Sequence, residues 1–222
     1  MSGTSEYGGP DRQPQSPRRV VKLGGSLLEQ AGLIPRLDAW LSAQPAAATL
    51  VVVGGGEWVE ALRRFDERHG LDVVAAHWLC IRAMEVTARA VAEAWPACQW
   101  LDRLADWSTV ANSAAAMVDP WHFVAEVEPH QPGTPLPCGW HVTSDSIAAR
   151  LAEIVAAQEL VLLKSALPGE NATAEAAAAE GYVDPWFPRA TARLPRVRCV
   201  DLTAEPFAER ELRVADVATR VR

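Results

Sequence analysis

Val20-Val21-Lys22-Leu23-Gly24-Gly25-Ser26-Leu27-Leu28 passes from a short apolar run through two glycines and a serine into an apolar-periodic segment. The run at 20–23 reads as a strand, the glycines as its end, and the following segment as a helix. A strand, a glycine turn and a helix bring backbone N–H groups close to a phosphate, with the positive end of the helix dipole behind them. Gly24 and Gly25 carry no Cβ, so an anion can approach the backbone there. Ser26 offers an N-cap and a hydroxyl donor. Lys22 lies inside the strand, where a lysine is unexpected. Its ammonium would reach the crevice at the strand's carboxyl end as a point charge for phosphate oxygens. Taken alone, the stretch is equally a plain strand–turn–helix with an edge lysine reaching water. It is neither a GxxxxGK[ST] loop nor a GxGxxG turn.

The pattern recurs. Residues 49–53 are an apolar strand of the kind buried on both faces of a parallel sheet. Gly54-Gly55-Gly56 ends it, and a helix runs from Glu57 to His69-Gly70. Two such units side by side make a right-handed βαβ arrangement, with both glycine turns at the carboxyl edge of the sheet. Further on, Thr143-Ser144-Asp145 opens an Ala-rich helix to about 157, and 159–163 is a third apolar strand followed by Lys164-Ser165. Three strands therefore end in glycine-rich or lysine-bearing turns.

Between and around these units the expectations are plainer. Residues 1–17 have the Gly, Pro, Ser and Gln content of a disordered tail, leaving one domain over 18–222. The helix after Ser26 is expected to reach about 43, with Pro35 dividing it. Asp72 caps a long helix to about Trp95, with Val73, Val74, Ala76, Leu79, Cys80, Ala83, Met84, Thr87, Ala90 and Val91 on its apolar side. His77 on this helix reads as packed or partner-bound rather than catalytic. Short strands are expected at 98–101 and 109–111. Five prolines forbid a long element across 119–139, which reads as a substrate lid or a connection. His122 and His130 lie there with nothing to pair them into a metal site. Residues 171–180 suit a helix or a mobile loop, 181–188 an aromatic turn, 198–202 a last strand, and 204–222 a terminal helix or tail.

Composition narrows the function. A formal net charge of −7 over 222 residues disfavours nucleic acid as a partner. Cys80, Cys98, Cys138 and Cys199 are scattered with no CxxC pair, so they indicate neither zinc nor a disulfide framework and read as reduced thiols of a cytoplasmic protein. No apolar run has the length of a membrane span or the layout of a signal peptide.

In order and spacing, four blocks resemble the amino acid kinase family: VKLGGSLL at 21–28, VVVGGG at 51–56, TSDSIAARLA at 143–152 and LVLLKSALPG at 160–169. The family includes aspartokinase, acetylglutamate kinase, uridylate kinase and isopentenyl phosphate kinase. The resemblance spans roughly 19–203. It implies an α/β fold, a three-layer αβα sandwich around a central, mostly parallel open sheet. It also implies transfer of the γ-phosphoryl group of ATP, with Mg²⁺ carried by the nucleotide, to a small anionic substrate in a homo-oligomeric enzyme. Lys22 would bridge the phosphates, and Gly24, Gly25 and Ser26 would cradle the γ-phosphate. Gly54, Gly55 and Gly56, with Thr143 and Ser144, would face the acceptor. Asp145 would orient the lysines. The family's usual Thr-Asp and Asp-Gly after the third strand are replaced by Lys164-Ser165 and Pro168-Gly169. Lys164, with Ser165, is then a second phosphate-binding lysine, the mark of an altered nucleotide loop, or an exposed strand-end lysine.

The short length, the block at 140–146 and the block at 181–187 resemble a small subgroup containing aminomethyl-furanmethanol phosphate kinase of methanofuran synthesis. On that resemblance Asp184, Trp186 and Phe187 either line a pocket or form a packed turn. Three function classes stay open: a kinase for a phosphate or for a carboxylate acceptor, a non-catalytic nucleotide-binding or storage protein on the same fold, and a dinucleotide oxidoreductase. The missing GxGxxG weighs against the last.

Overall fold

The computed structural model describes residues 17–111 and 114–214. One sheet takes all seven strands: β1 (Arg18–Leu23), β2 (Ala48–Val53), β3 (Cys98–Leu101), β4 (Ala115–Val118), β5 (Glu159–Lys164), β6 (Val197–Asp201) and β7 (Ala208–Leu212). The helices are α1 (Leu33–Ser42), α2 (Gly56–His69), α3 (Val73–Ala94), α4 (Pro120–His122), α5 (Ser144–Ile154), α6 (Ala174–Ala179) and α7 (Phe187–Ala190). The sheet order is β3-β4-β2-β1-β5-β6-β7. Every neighbouring pair is parallel except β6 and β7. The strands that end in the two glycine turns and in Lys164 are therefore three adjacent strands, β2, β1 and β5. The chain leaves β1 toward β2 on one side and returns to β5 on the other, which opens a crevice at their carboxyl ends.

Valine- and leucine-rich strands suit this position because both faces are covered. Alternate side chains point to opposite layers. Val20, Leu50, Val52, Leu160 and Leu162 pack with Ile147, Ala148 and Leu151 of α5 and Phe187 of α7. Val21, Leu23, Val51, Val53, Val161 and Leu163 pack with Leu33, Leu37 and Trp40 of α1 and Ala88 and Val91 of α3. The result is a three-layer αβα sandwich with a mostly parallel sheet. The same parity aims Lys22 and Lys164 at the α5 layer. Lys22 follows Val20 by two residues, Lys164 follows Leu162 by two, and Lys22 pairs with Leu162 in the register.

The structure departs from the sequence expectations at several points. The helix after Ser26 is divided, as expected, into a short 3-10 turn over Gly25–Glu29 and then α1, but not at Pro35. The break falls at Gly32, in the left-handed region at φ 76°, and Pro35 sits in the first turn of α1, where a missing N–H costs nothing. Asp72 does cap α3, accepting from Val74 and Ala75 N–H at 3.0 Å. However, Val73, Val74 and Leu79 are exposed, and the buried stripe runs through Ala76, His77, Ile81, Met84, Thr87, Ala88 and Val91. No strand forms at 109–111, where Val110 N–H closes a 3-10 turn on the Trp107 carbonyl at 3.0 Å. The strand is Ala115–Val118, whose small side chains are all buried. The expected terminal helix or tail begins instead as β7, which alternates in exposure and pairs antiparallel with β6. Residues 1–16 and 215–222 lie outside the described residues, so the tail expected at 1–17 is described only at Pro17.

The proline-bearing segment is broken into short turns but is pinned to α5. Arg150, fully buried, donates from Nε to Glu128 at 3.0 Å and from Nη1 to Glu153 at 2.6 Å. It also donates to the carbonyls of Gln131 and Pro132, both at 2.9 Å. Replacing one member of a buried pair strands the other charge. Arg150→Met is expected to cost about 3–5 kcal/mol of stability, read as a lower urea midpoint.

Candidate active site

The site begins with one carboxylate and two ammonium groups. Asp145, in the first turn of α5, is 4% exposed. Lys22 Nζ lies 2.9 Å from its Oδ1, and Lys164 Nζ donates to its Oδ2 at 3.0 Å. Lys164 also donates to the Tyr182 carbonyl, and its Nζ lies 4.5 Å from the Tyr182 ring centre. Its side chain is 14% exposed and turned inward, so it is not a free strand-end lysine. Burial lowers the pKa of Lys22; Asp145 opposes this, while the Lys164 charge adds to it. Burial by itself would raise the pKa of Asp145, but the two ammonium groups outweigh it and hold the carboxyl below its ordinary range.

Beside this triad the two glycine turns meet. Gly24 N–H extends the ladder to the Leu163 carbonyl at 2.8 Å, and Gly54 N–H bonds the Leu23 carbonyl at 2.9 Å. A Cβ on Gly25 would stand 2.4 Å from the Gly56 nitrogen, so only glycine permits the approach. Gly56, at φ +53°, opens α2. The first turns of α2 and α5 and the 3-10 turn at Gly25 leave N–H groups without intrahelical partners. Ser26 and Ser165 hydroxyls, 3.2 Å apart, tie the β1 turn to the β5 turn.

A cavity of about 390 Å³ opens against these turns. Gly25, Ser26, Gly54, Gly55, Gly56, Thr143 and Ser144 line it. Lys22, Gly24, Asp145, Lys164 and Ser165 are gathered at the adjoining sheet edge and do not line it. The cavity's far walls were not foreseen: Arg63 of α2, His77 and Ile81 of α3, and Trp140. The spacing of His77, Ile81 and Met84, four and then three residues, carried a signal, since it puts the histidine on the buried stripe of α3.

Asp184 is a structural cap. It accepts from Thr143 N–H and Oγ1 at 2.9 Å and from Ser146 N–H at 3.0 Å and Oγ at 2.6 Å. It also accepts from Trp186 and Phe187 N–H, both at 3.0 Å. Burial pushes its pKa up; the Ser146 hydroxyl pulls it down, and the charge of Asp145 pushes it up. Phe187 is fully buried in the core, and neither Trp186 nor Asp184 lines the cavity. The aromatic turn is therefore packing that fixes where α5, and with it Asp145, begins.

No family model and no curated protein sequence matches the chain. Solved structures match its fold. The aspartate kinase from Synechocystis superposes with a TM-score of 0.58 at 16% identity, over 90% of this chain and 40% of that one. The UMP kinase from Bacillus anthracis gives 0.55 at 12% identity, over 83% of this chain and 86% of that one. The uridylate kinase from Archaeoglobus fulgidus gives 0.46 at 19% identity, over 67% of this chain. The chain spans 63% of that protein's length. The aspartate kinase and UMP kinase likenesses establish the class, an α/β sandwich with the amino acid kinase fold. At such identities they establish the fold alone. No helix among the described residues is long and apolar enough to cross a membrane.

Asp145→Asn removes the charge that both lysines share, and the Lys22 pKa is expected to fall further, read by NMR of ¹³C-methylated lysines. Because the folded-state pKa of Asp145 is depressed, its ion pairs stabilise the fold above the ordinary carboxylate range, about pH 4. That stability is lost as pH falls through the lower folded value. The denaturation midpoint of the wild type relative to Asp145→Asn is therefore expected to fall on acidification below about pH 4.

Proposed function

We propose that this chain is an ATP-dependent kinase that transfers the γ-phosphoryl group to a small phosphate acceptor. The observation that carries the reading is the single buried carboxylate that holds two lysines beside two glycine turns on neighbouring strands. Phosphoryl transfer asks a protein chiefly to position the reactants and to neutralise charge on the equatorial oxygens. Lys22 and Lys164 supply positive charge, and Asp145 keeps both ammoniums at one point of the crevice. Gly25 and Ser26 offer N–H groups and a hydroxyl to the transferring group, and Gly24, whose own N–H is held by the Leu163 carbonyl, keeps the turn free of a side chain. Gly54, Gly55, Gly56, Thr143 and Ser144 face the acceptor cavity. An acceptor phosphate oxygen attacks Pγ, the bond from Pγ to the β–γ bridging oxygen breaks, and ADP leaves. A phosphate acceptor is already ionised at neutral pH, so no strong general base is needed. Mg²⁺ enters as part of the nucleotide substrate. Asp145 has both oxygens engaged by ammonium groups, a donor set suited to phosphate rather than to a resident metal ion.

The finer reading takes aminomethyl-furanmethanol phosphate as acceptor, in one-carbon metabolism through a methanofuran-type cofactor. It is supported by the sequence blocks at 140–146 and 181–187. A cytoplasmic homo-oligomer belongs to the same proposal, and Trp58, Phe65 and Val86, exposed on α2 and α3, suit a subunit contact. A second reading, a non-catalytic nucleotide-binding protein, is favoured by Lys164 being held by the Tyr182 carbonyl as well as by Asp145.

Coupled ADP release decides between them, with Mg·ATP and a panel of the furan phosphate, isopentenyl phosphate, uridine monophosphate, aspartate and acetylglutamate. Turnover is expected with the furan phosphate. Lys22→Ala is expected to lower kcat by about 10²–10³-fold, the size of losing one transition-state charge contact. ATP binding without ADP release on every acceptor would favour the second reading.

A further inference from the structure

The acceptor cavity has a far end, and the chemistry there is set by one histidine. His77 is 7% exposed and lines the cavity. Its Nδ1 accepts the Gly139 N–H at 3.3 Å. An imidazole that accepts at Nδ1 carries its proton on Nε2. Burial lowers the pKa of His77, in keeping with a neutral ring. Among the described residues no hydrogen bond involves Nε2, and this atom is not among the sealed, unpartnered ones. It is a donor open to whatever fills the cavity.

α3 measures the distance. At one end Thr87 Oγ1 donates to the Gly54 carbonyl at 3.0 Å, and a Cβ on Gly55 would lie 3.5 Å from Met84 Cγ, so this part of the helix abuts the glycine turn. His77 precedes Met84 by seven residues, which is two helical turns or about 10 Å of rise. Between them the cavity is walled by Val59, Ile81, Val142 and Ile147. Trp140 closes the side, its indole N–H bonded to Asp66 at 2.7 Å and its ring 4.4 Å from the Arg63 guanidinium carbon.

We propose that His77 is a specificity residue for the acceptor, donating from Nε2–H to an oxygen at the end of the substrate remote from the phosphate. The substrate class is a phosphomonoester with a short apolar body and a distal hydrogen-bond acceptor. The inference rests on the kinase reading only for placing the phosphate at the glycine turns.

Calorimetric binding without ATP tests it, using n-hexyl phosphate and 6-hydroxyhexyl phosphate as probes. The ratio of the two Kd values is measured in the wild type, in His77→Phe and in His77→Gln, so each protein is its own control. The preference for the hydroxylated probe is expected to drop about five- to tenfold in His77→Phe, the size of one buried hydrogen bond. His77→Gln, which keeps an N–H donor, is expected to restore most of it. An unchanged ratio in His77→Phe, or no binding of either probe to the wild type, would overturn the assignment. ADP release is measured separately: its absence, with the ratio change intact, removes the kinase reading and leaves the role of His77 standing.

Discussion

A carboxylate that has given up water for two ammonium groups is the interaction on which the crevice depends. Burying Lys22 in the middle of a parallel sheet is costly without a counter-charge. Asp145 supplies that charge, and it is in turn tolerable only because two lysines reach it. With one carboxylate between two ammoniums, and Asp184 acting on Lys22 from farther off, the cluster gathers charge of both signs at the sheet's carboxyl edge. On the proposed function, this is where the phosphates of the nucleotide would meet positive charge.

The geometry around this charge is backbone geometry. The turns after β1 and β2 touch so closely at Gly25 and Gly56 that no side chain fits between them. Phosphate-sized anions are held well by convergent N–H groups, and two glycine turns in contact offer such groups from two strands at once. The Ser26–Ser165 contact extends the rim to the third strand.

Position is enforced from behind. Asp184 gathers four donors from Thr143 and Ser146 and two from its own turn, so the start of α5 cannot shift without breaking a buried network. Lys164 is tied into the same turn through the Tyr182 carbonyl. On the other flank, Gly139 and Trp140 are fastened to α3 and α2 by His77 and Asp66. One short stretch, 139–146, thus joins the charge cluster to the cavity.

Much of this was legible in the residues. The apolar runs with glycine stops announced parallel strands because such strands are buried on both faces. Lys22 and the glycines stood out because they broke the local pattern, whereas Asp145, at a helix start, was singled out by the family resemblance. Residues whose meaning depends on partners distant in sequence were not legible. His77 looked like an ordinary core residue until α3 was laid along the cavity. Lys164 had three readings until strand parity and α5 brought it to Asp145. Asp184 had two readings, pocket lining or packed turn, until its donors, some forty residues earlier, were in place. The alanine strand 115–118 and the edge strand β7 were missed because neither has strong strand propensity; their neighbours in the sheet decide them. Local pattern determined the strands, turns and candidate charges of this protein. Only the tertiary structure decided which charges meet and which residues line the cavity, because those depend on contacts between residues far apart in the chain, as far as Lys22 from Asp145.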